Sequence, residues 1–336
     1  MTINSQEQIE GERPVVDVIV GHVMDYQERH CKPGTTRSKV YGTFKDARLR
    51  ILDGGAGVNL GLFSRPGSSF AATVSFSNGV PGDRSDAQPK ILKLGIKVHG
   101  VPGAKILPGE EDSDCCDFVL ANHPGLCMRR PEDYPAVLEE RVKGKIFAEV
   151  HRRFSAVNRL NIKAMWRQVK NPLTIDYYSG TSYTLGLYPC RPVKYVLVAD
   201  QRSSFFSLPN FFDRDFLRHA VEKLLGKQSV RFTFCVQFQQ EGDPIEDASV
   251  VWKGPLIPVA VLEIPRLRDD QPVLESGGEQ LFFHPWRTLP EHEPLGWYNR
   301  VFKTLWLTHL YRDFLQKAGD ERSVKMLRQK CWRNRI

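Results

Sequence analysis

The sequence predicts an α+β fold in which short antiparallel strands form a barrel or curled sheet. Three observations carry this expectation. Apolar and polar residues alternate in several short runs, most clearly ILKLGIKV at 91–98. Turn signals punctuate the runs closely: Asp53–Gly54–Gly55, Pro66–Gly67, Pro81–Gly82 and Pro102–Gly103. Strands come in local groups and helices cluster toward the ends, which argues against alternating βαβ units.

The elements follow in order. Residues 1–13 are polar and read as a loose N-terminal tail, leaving 14–336 as a single domain. Apolar spacing from Val15 to Arg29 suits a helix, which Lys32–Pro33–Gly34 ends by withdrawing a backbone donor and loosening the chain. Strand signals appear at 49–51, 71–76 and 91–98. Residues 132–170 read as helix with a polar exposed face. Further strands are expected at 195–198, 230–239 and 259–264, and further helices at 211–225 and 297–317. The chain has no repeat, low-complexity tract or Gly/Ser linker.

Composition narrows the class. In 336 residues, 41% are hydrophobic and 26% charged, which is ordinary for a folded chain and sets disorder aside. The net charge of +8 is a moderate basic excess and does not by itself call for nucleic acid. The C-terminal run RSVKMLRQKCWRNRI holds six basic residues and no acid; a solvated helix end accounts for it, since cations favour the negative end of the helix dipole. No window approaches the roughly 18 uninterrupted apolar residues of a membrane span. The N-terminal residues carry acids early and do not resemble a secretory signal. Seven cysteines, odd in number and irregular in spacing, read as reduced thiols in a cytoplasmic protein.

Familiar site motifs are missing. No GxGxxG follows a strand, no GxxxxGK[ST] occurs, and no GxSxG elbow is present. His30 with Cys31, and His123 with Cys127, are too few and too irregular to define a metal centre. Asn122, in DFVLANHP, follows an apolar strand-like run; its amide reads as a core hydrogen bonder or as a pocket group.

Several separated blocks together resemble one family. SFSNGVPGDRSDAQPK, KLGIKVHGVPG, DFVLANHP, NPLTIDYYSGTSYTLG, PVKYVLV, PIEDASVVW and FFHPWRTLPEHEPLGWYNR are similar, in order and spacing, to the small catalase-related haem proteins. The branch in question holds the short catalase-like peroxidases and the coral-type allene oxide synthases. The resemblance runs over residues 35–312. It implies an antiparallel β-barrel of about eight strands with surrounding helices, and a C-terminal helix against a haem-type pocket. It also implies a distal His aided by Ser and Asn, a proximal tyrosinate on the iron, and an Arg four residues before that Tyr on the same helical face.

Carried over residue by residue, the pattern breaks at the haem. The distal Asn matches Asn122 and the distal Ser matches Ser77. The distal His position falls on Arg37 or Ser38, because TTRSKVYG contains no His. The propionate Arg position is Ser75, and an aromatic that shields the haem becomes Cys127. HEPLGWYNR fixes the helix register, so the Arg partner falls on Phe302 and the Tyr ligand on Trp306. An indole N–H only donates, and a phenyl ring cannot stabilise an anion, so usual Tyr-ligated haem is not expected. His309 is the alternative ligand: it lies three residues past Trp306, roughly 60° away around the helix.

Two functions remain open at this level. One is a degenerate catalase-related protein, a pseudoenzyme in peroxide disproportionation, whose vacated pocket binds a small apolar ligand with a polar head or hosts reworked non-haem chemistry. The other is a haem-dependent peroxidase or hydroperoxide-converting oxidoreductase or isomerase, with His309 on the iron and Arg37 as distal polar group. Family analogy implies a homo-oligomer, with no nucleic-acid partner.

Overall fold

Fourteen consecutive extended residues, Ser38–Ile51, form β1, the strand around which the sheet is organised. The computed structural model describes residues 18–19, 21, 38–55, 57–81, 86, 91–129, 133, 160–161, 163–164, 168–202, 213–268 and 281–304. β1 pairs antiparallel with β2 (Ser69–Pro81) along one edge and with β9 (Leu256–Ile264) along the other. Register shifts between Ser38 and Val40, Val40 and Gly42, and Phe44 and Ala47 interrupt the β1–β2 ladder. Such bulges bend a strand and raise its twist, as the curvature of a barrel requires.

The sheet then runs outward on both sides. β2 is followed by β3 (Leu92–Val98), β4 (Cys116–Ala121) and the short β5 (Tyr177–Tyr178). β9 is followed by β8 (Val230–Phe238), β7 (Arg191–Ala199) and β6 (Tyr183–Leu185). β5 closes the ring: Tyr178 faces Ala121 of β4 on one side and Val196 of β7 on the other. The result is a closed antiparallel barrel of eight strands, β1–β5 and β7–β9, with β6 continuing along β7. The backbone between β5 and β6 is held to β7, where the Tyr195 N–H donates to Ser179 Oγ at 3.1 Å.

Side chains alternate across the barrel wall. On β2, Ala72, Val74 and Phe76 join the core, so Thr73, Ser75 and Ser77 lie on the opposite, outer face. Aromatic rings fill much of the interior. Phe76, Tyr177 and Phe232 form one group, with centroids 5.8–6.4 Å apart. Phe118, Phe234, Tyr195 and Phe63 form another, from 5.0 to 6.5 Å. Edge-on and tilted contacts of this kind add to the stabilisation from burial.

His292 belongs to that second group. Its Nε2 accepts the Leu62 N–H at 2.9 Å. A neutral imidazole carries one proton, so Nδ1–H donates to the Tyr195 hydroxyl oxygen, 2.8 Å away. Burial pushes the His292 pKa down to about 3, which keeps the ring neutral. Gly61 makes this approach feasible: with φ +54, a Cβ there would lie 2.4 Å from His292 Nε2.

Among the described residues, two helical stretches accompany the barrel over eight or more consecutive positions. α1 (Phe216–Leu225) packs on β1 and is tied down at its start, where the Leu217 N–H donates to Asp86 Oδ2 at 3.0 Å. Lys39 of β1 bridges Asp86 at 3.1 Å and Asp215 at 2.7 Å. α2 covers residues 297–304 within the described chain. No described helix is long and apolar enough to cross a membrane.

The expected strands at 49–51, 71–76, 195–198 and 259–264 fall within β1, β2, β7 and β9, and those at 91–98 and 230–239 overrun β3 and β8 by one residue each. β1 is much longer than its expected three residues, and β5 and β6 carry no strand signal of their own. The expected helices at 15–29 and 132–170, the tail at 1–13 and the basic C-terminal run lie wholly or largely outside the described residues.

Candidate functional site

The outer face of β2–β4 presents a ladder of side chains read directly from strand register. Ser77 of β2 stands opposite Lys93 of β3, which stands opposite Ala121 of β4. Cross-strand neighbours on one face lie about 5 Å apart at Cβ, so the exposed Lys93 shares this face with Ser77. Sequence reasoning missed Lys93, although the alternation of ILKLGIKV already put it on the polar face.

Asn122 follows β4 directly and is buried. Its Oδ1 accepts the Leu92 N–H at 3.2 Å, while its own N–H donates to the Leu92 carbonyl at 3.2 Å. The amide oxygen therefore extends the β3–β4 ladder. Asn78 does the same one strand over, its Oδ1 accepting the Lys39 N–H at 3.1 Å. Ser75 is buried, with its Oγ 3.2 Å from Thr43 Oγ1.

Cys127 lies half-buried in the loop after β4. Its neighbour Leu126 is anchored by a hydrogen bond from its N–H to the Ala248 carbonyl, 2.8 Å long. Leu126 and Ala248 form a small apolar cluster against which Ile91, Ala121 and Tyr298 pack. The cluster lies between the barrel's outer face and α2.

α2 is positioned by buried polar contacts at its start. Gly296, with φ +84, makes the entry turn; a Cβ there would come 2.9 Å from the Ile245 carbonyl oxygen. Glu246 accepts the Trp297 N–H at 2.8 Å and pairs with Arg300 through both carboxylate oxygens, at 3.1 and 2.8 Å. A carboxylate there satisfies an orphan N–H of the first turn and favours the helix dipole. Asn299 accepts from the Thr181 hydroxyl at 3.2 Å and donates to the Ser182 and Leu295 carbonyls at 3.2 and 2.9 Å. Asn299 and Arg300 thus fix how the helix sits.

Phe302 is half-buried on this helix, its ring centroid 5.2 Å from that of Tyr298. Positions 298 and 302 are spaced by four, so one helical face carries Tyr298 and then Phe302. Sequence reasoning missed Tyr298; the i, i+4 spacing was the available signal. The His284 ring lies under the helix, with Nε2–H donating to the Phe302 carbonyl at 3.2 Å and Nδ1 accepting the Trp286 N–H at 3.2 Å. Burial lowers the His284 pKa to about 4.

The structure therefore brings Ser77 and Asn122 to one end of β2–β4, with Cys127 on the loop after β4 and Phe302 on α2 against Tyr298. Arg37, Trp306 and His309 lie outside the described residues, and Ser38 is described only in its backbone. His123 turns Nδ1 onto the Gly125 backbone, 2.8 Å from its carbonyl oxygen. Among the described residues, the one group of three metal-ligating atoms within 4.8 Å is instead His99, Asp114 and Cys115.

The fold is that of the catalases. A fungal catalase superposes with a TM-score of 0.65 at 16% identity, over 92% of this chain and 64% of that one. Catalase A from Saccharomyces cerevisiae gives 0.64 at 15% identity, over 89% and 65%. A bacterial catalase gives 0.60 at 16% identity, over 84% and 57%. The chain thus spans less than two thirds of the length of each of these enzymes. No family model and no curated protein sequence matches it.

Proposed function

We propose that this protein uses the catalase-like fold without a tyrosinate-ligated haem, and that the region between the barrel and α2 serves ligand binding or reworked non-haem chemistry. The observation that carries this reading is the Tyr298–Phe302 face of α2 meeting the Leu126–Ala248 cluster beside Ala121. The residues do not fit the family's haem. An iron-bound phenolate needs a cation beside it on the helix, and Phe302 offers none. A propionate needs a cation near Ser75, whose hydroxyl is engaged with Thr43. Loss of the phenolate and loss of the Arg belong together, because a buried Arg without its partner would cost several kcal/mol.

Ser77 and Lys93 supply a polar edge beside an apolar cluster. That combination suits a small apolar ligand carrying one anionic or carbonyl group. The reading extends to a cytoplasmic homo-oligomer by analogy with the resembled family. The direct test is the visible spectrum of the full chain purified from haem-supplied cells, before and after adding hemin. A colourless protein that takes up no hemin is the expected result. A stoichiometric Soret band, lost in His309→Ala, would overturn the proposal in favour of a haem enzyme with a substitute ligand.

A further inference from the structure

The β3–β4 hairpin carries a second, separate constellation at its other end. Val98 pairs with Cys116 in the ladder, which brings the next residues outward, His99 and Cys115, alongside each other. Cys115 Sγ lies 3.3 Å from His99 Nδ1 and 3.0 Å from Asp114 Oδ1. All three ligand atoms fall within 4.8 Å of one another. We infer that His99, Asp114 and Cys115 form a binding site for a divalent transition metal, with Zn2+ as the ion of choice.

Donor chemistry selects the ion. One imidazole nitrogen, one thiolate and one carboxylate suit zinc, whereas calcium and magnesium want oxygen alone. Zinc–ligand bonds of about 2.0–2.3 Å at tetrahedral angles set neighbouring ligand atoms about 3.5 Å apart. The observed 3.3 and 3.0 Å need only a few tenths of an ångström of spreading.

The surroundings orient the donors. His99 Nε2 lies 2.8 Å from Thr73 Oγ1 on β2. When Nδ1 gives its lone pair to a metal, Nε2–H donates to that hydroxyl, the outer-shell bond that fixes the ring of a metal-bound histidine. Asp114 Oδ2 accepts the Gly100 N–H at 3.3 Å, which leaves Oδ1 toward the thiol. Gly100, with φ +70, makes the turn that permits this. The neighbouring cation Lys97 is paired with Asp117 at 2.9 Å, which offsets its charge.

Three protein donors leave the fourth position to water, and exposed Asp114 opens it to solvent. On binding, the Cys115 S–H bond breaks, its proton leaves to solvent and the sulfur electron pair goes to the metal. The site stands apart from the Ser77–Lys93 end: His99 lies six positions beyond Lys93, about 20 Å along an extended chain.

The test titrates the purified, chelator-treated full chain with Co2+, a spectroscopic substitute for Zn2+. One equivalent per chain is expected to give the visible bands of tetrahedral cobalt with a near-ultraviolet thiolate charge-transfer band, and Zn2+ displaces it. Cys115→Ser should lose the charge-transfer band, and His99→Asn should weaken binding at least tenfold. Asp114→Asn, at an exposed position, gives the same weakening in a chain that folds, should either of the other two variants fail to fold. No cobalt spectrum, or one unchanged in Asp114→Asn and His99→Asn, overturns the site.

Discussion

Inside the barrel, His292 Nδ1 and the Tyr195 hydroxyl oxygen lie 2.8 Å apart, and neither residue is more than 1% exposed. Their bond, with that from Leu62 N–H to Nε2, ties the C-terminal segment to the barrel interior. The His292 pKa is pushed to about 3 and that of His284 to about 4, both by burial. Their unfolded counterparts titrate near 6.5. Between those values the unfolded chain binds protons that the folded chain does not, so stability is full above pH 6.5 and falls with decreasing pH. Each histidine removes about 1.4 kcal/mol per pH unit across its window. Urea unfolding at pH 7.5 and pH 5 should show this loss. In His292→Phe the pH slope should be shallower, and stability at pH 7.5 lower by about 1–3 kcal/mol, because the Leu62 N–H is left buried and unmet. An unchanged slope would contradict a neutral His292.

Asp117 makes the opposite kind of contact. Its carboxylate is fully buried on the outer side of β4, between Lys97 at 2.9 Å and Arg287, and accepts the His284 N–H at 2.9 Å. Burial pushes the Asp117 pKa up while the two cations oppose that shift. Removing the carboxylate leaves Arg287, itself only 7% exposed, short of a partner. Asp117→Ala should therefore cost about 3–5 kcal/mol in chemical denaturation. The exposed pair Arg202–Asp176, 2.8 Å apart, is the control, and Arg202→Ala should cost less than about 1 kcal/mol.

Much of the barrel was legible because period-two alternation is a local property. ILKLGIKV alternates, and β3 covers 92–98 with Leu92, Leu94, Ile96 and Val98 buried. β5 and β6 were not legible, because a two- and a three-residue strand cannot show a period. Their pairing with β7 is a tertiary fact. β1 was read only at its end, since its register shifts break the alternation that marks a strand. The site divides the same way. The spacing of 297–317 put Phe302 on a helix, and the described part of that helix is α2. Lys93 beside Ser77, and His99 beside Cys115, needed the pairing of strands, which no single run of sequence contains.

Gly95 illustrates a close approach. It stands on the outer face between Ser75 and Val119, and a Cβ there would meet the Phe283 ring at 2.5–2.8 Å. The ring is large and backed by Lys97, whose Nζ lies 5.7 Å from its centroid. Gly95→Ala should thus destabilise by about 1–3 kcal/mol through overpacking. Phe283→Ala in the same chain should recover much of that loss, giving a coupling visible in a double-mutant cycle. Simple additivity of the two changes would mean that the ring does not rest on Gly95.

The sharpest prediction concerns Phe302 and Trp306. If the family's Arg and Tyr once stood there, they were four residues apart on one helical face. Restoring either alone fails for physical reasons. Phe302→Arg by itself introduces a cation without its anion, and Trp306→Tyr by itself a phenol without the cation that favours its ionised form. The Phe302→Arg single variant should therefore lose stability, and Trp306→Tyr should take up no more hemin than the parent chain. The double variant Phe302→Arg/Trp306→Tyr should bind added hemin measurably better than either single variant. Tyr298 packs on the Leu126–Ala248 cluster, as Ala121 does. Adding Tyr298→Ala should raise hemin uptake further if that ring occupies space the haem would need. If a folded double variant and a folded triple variant both remain colourless, the residues lost at 302 and 306 were not what stood between this chain and haem.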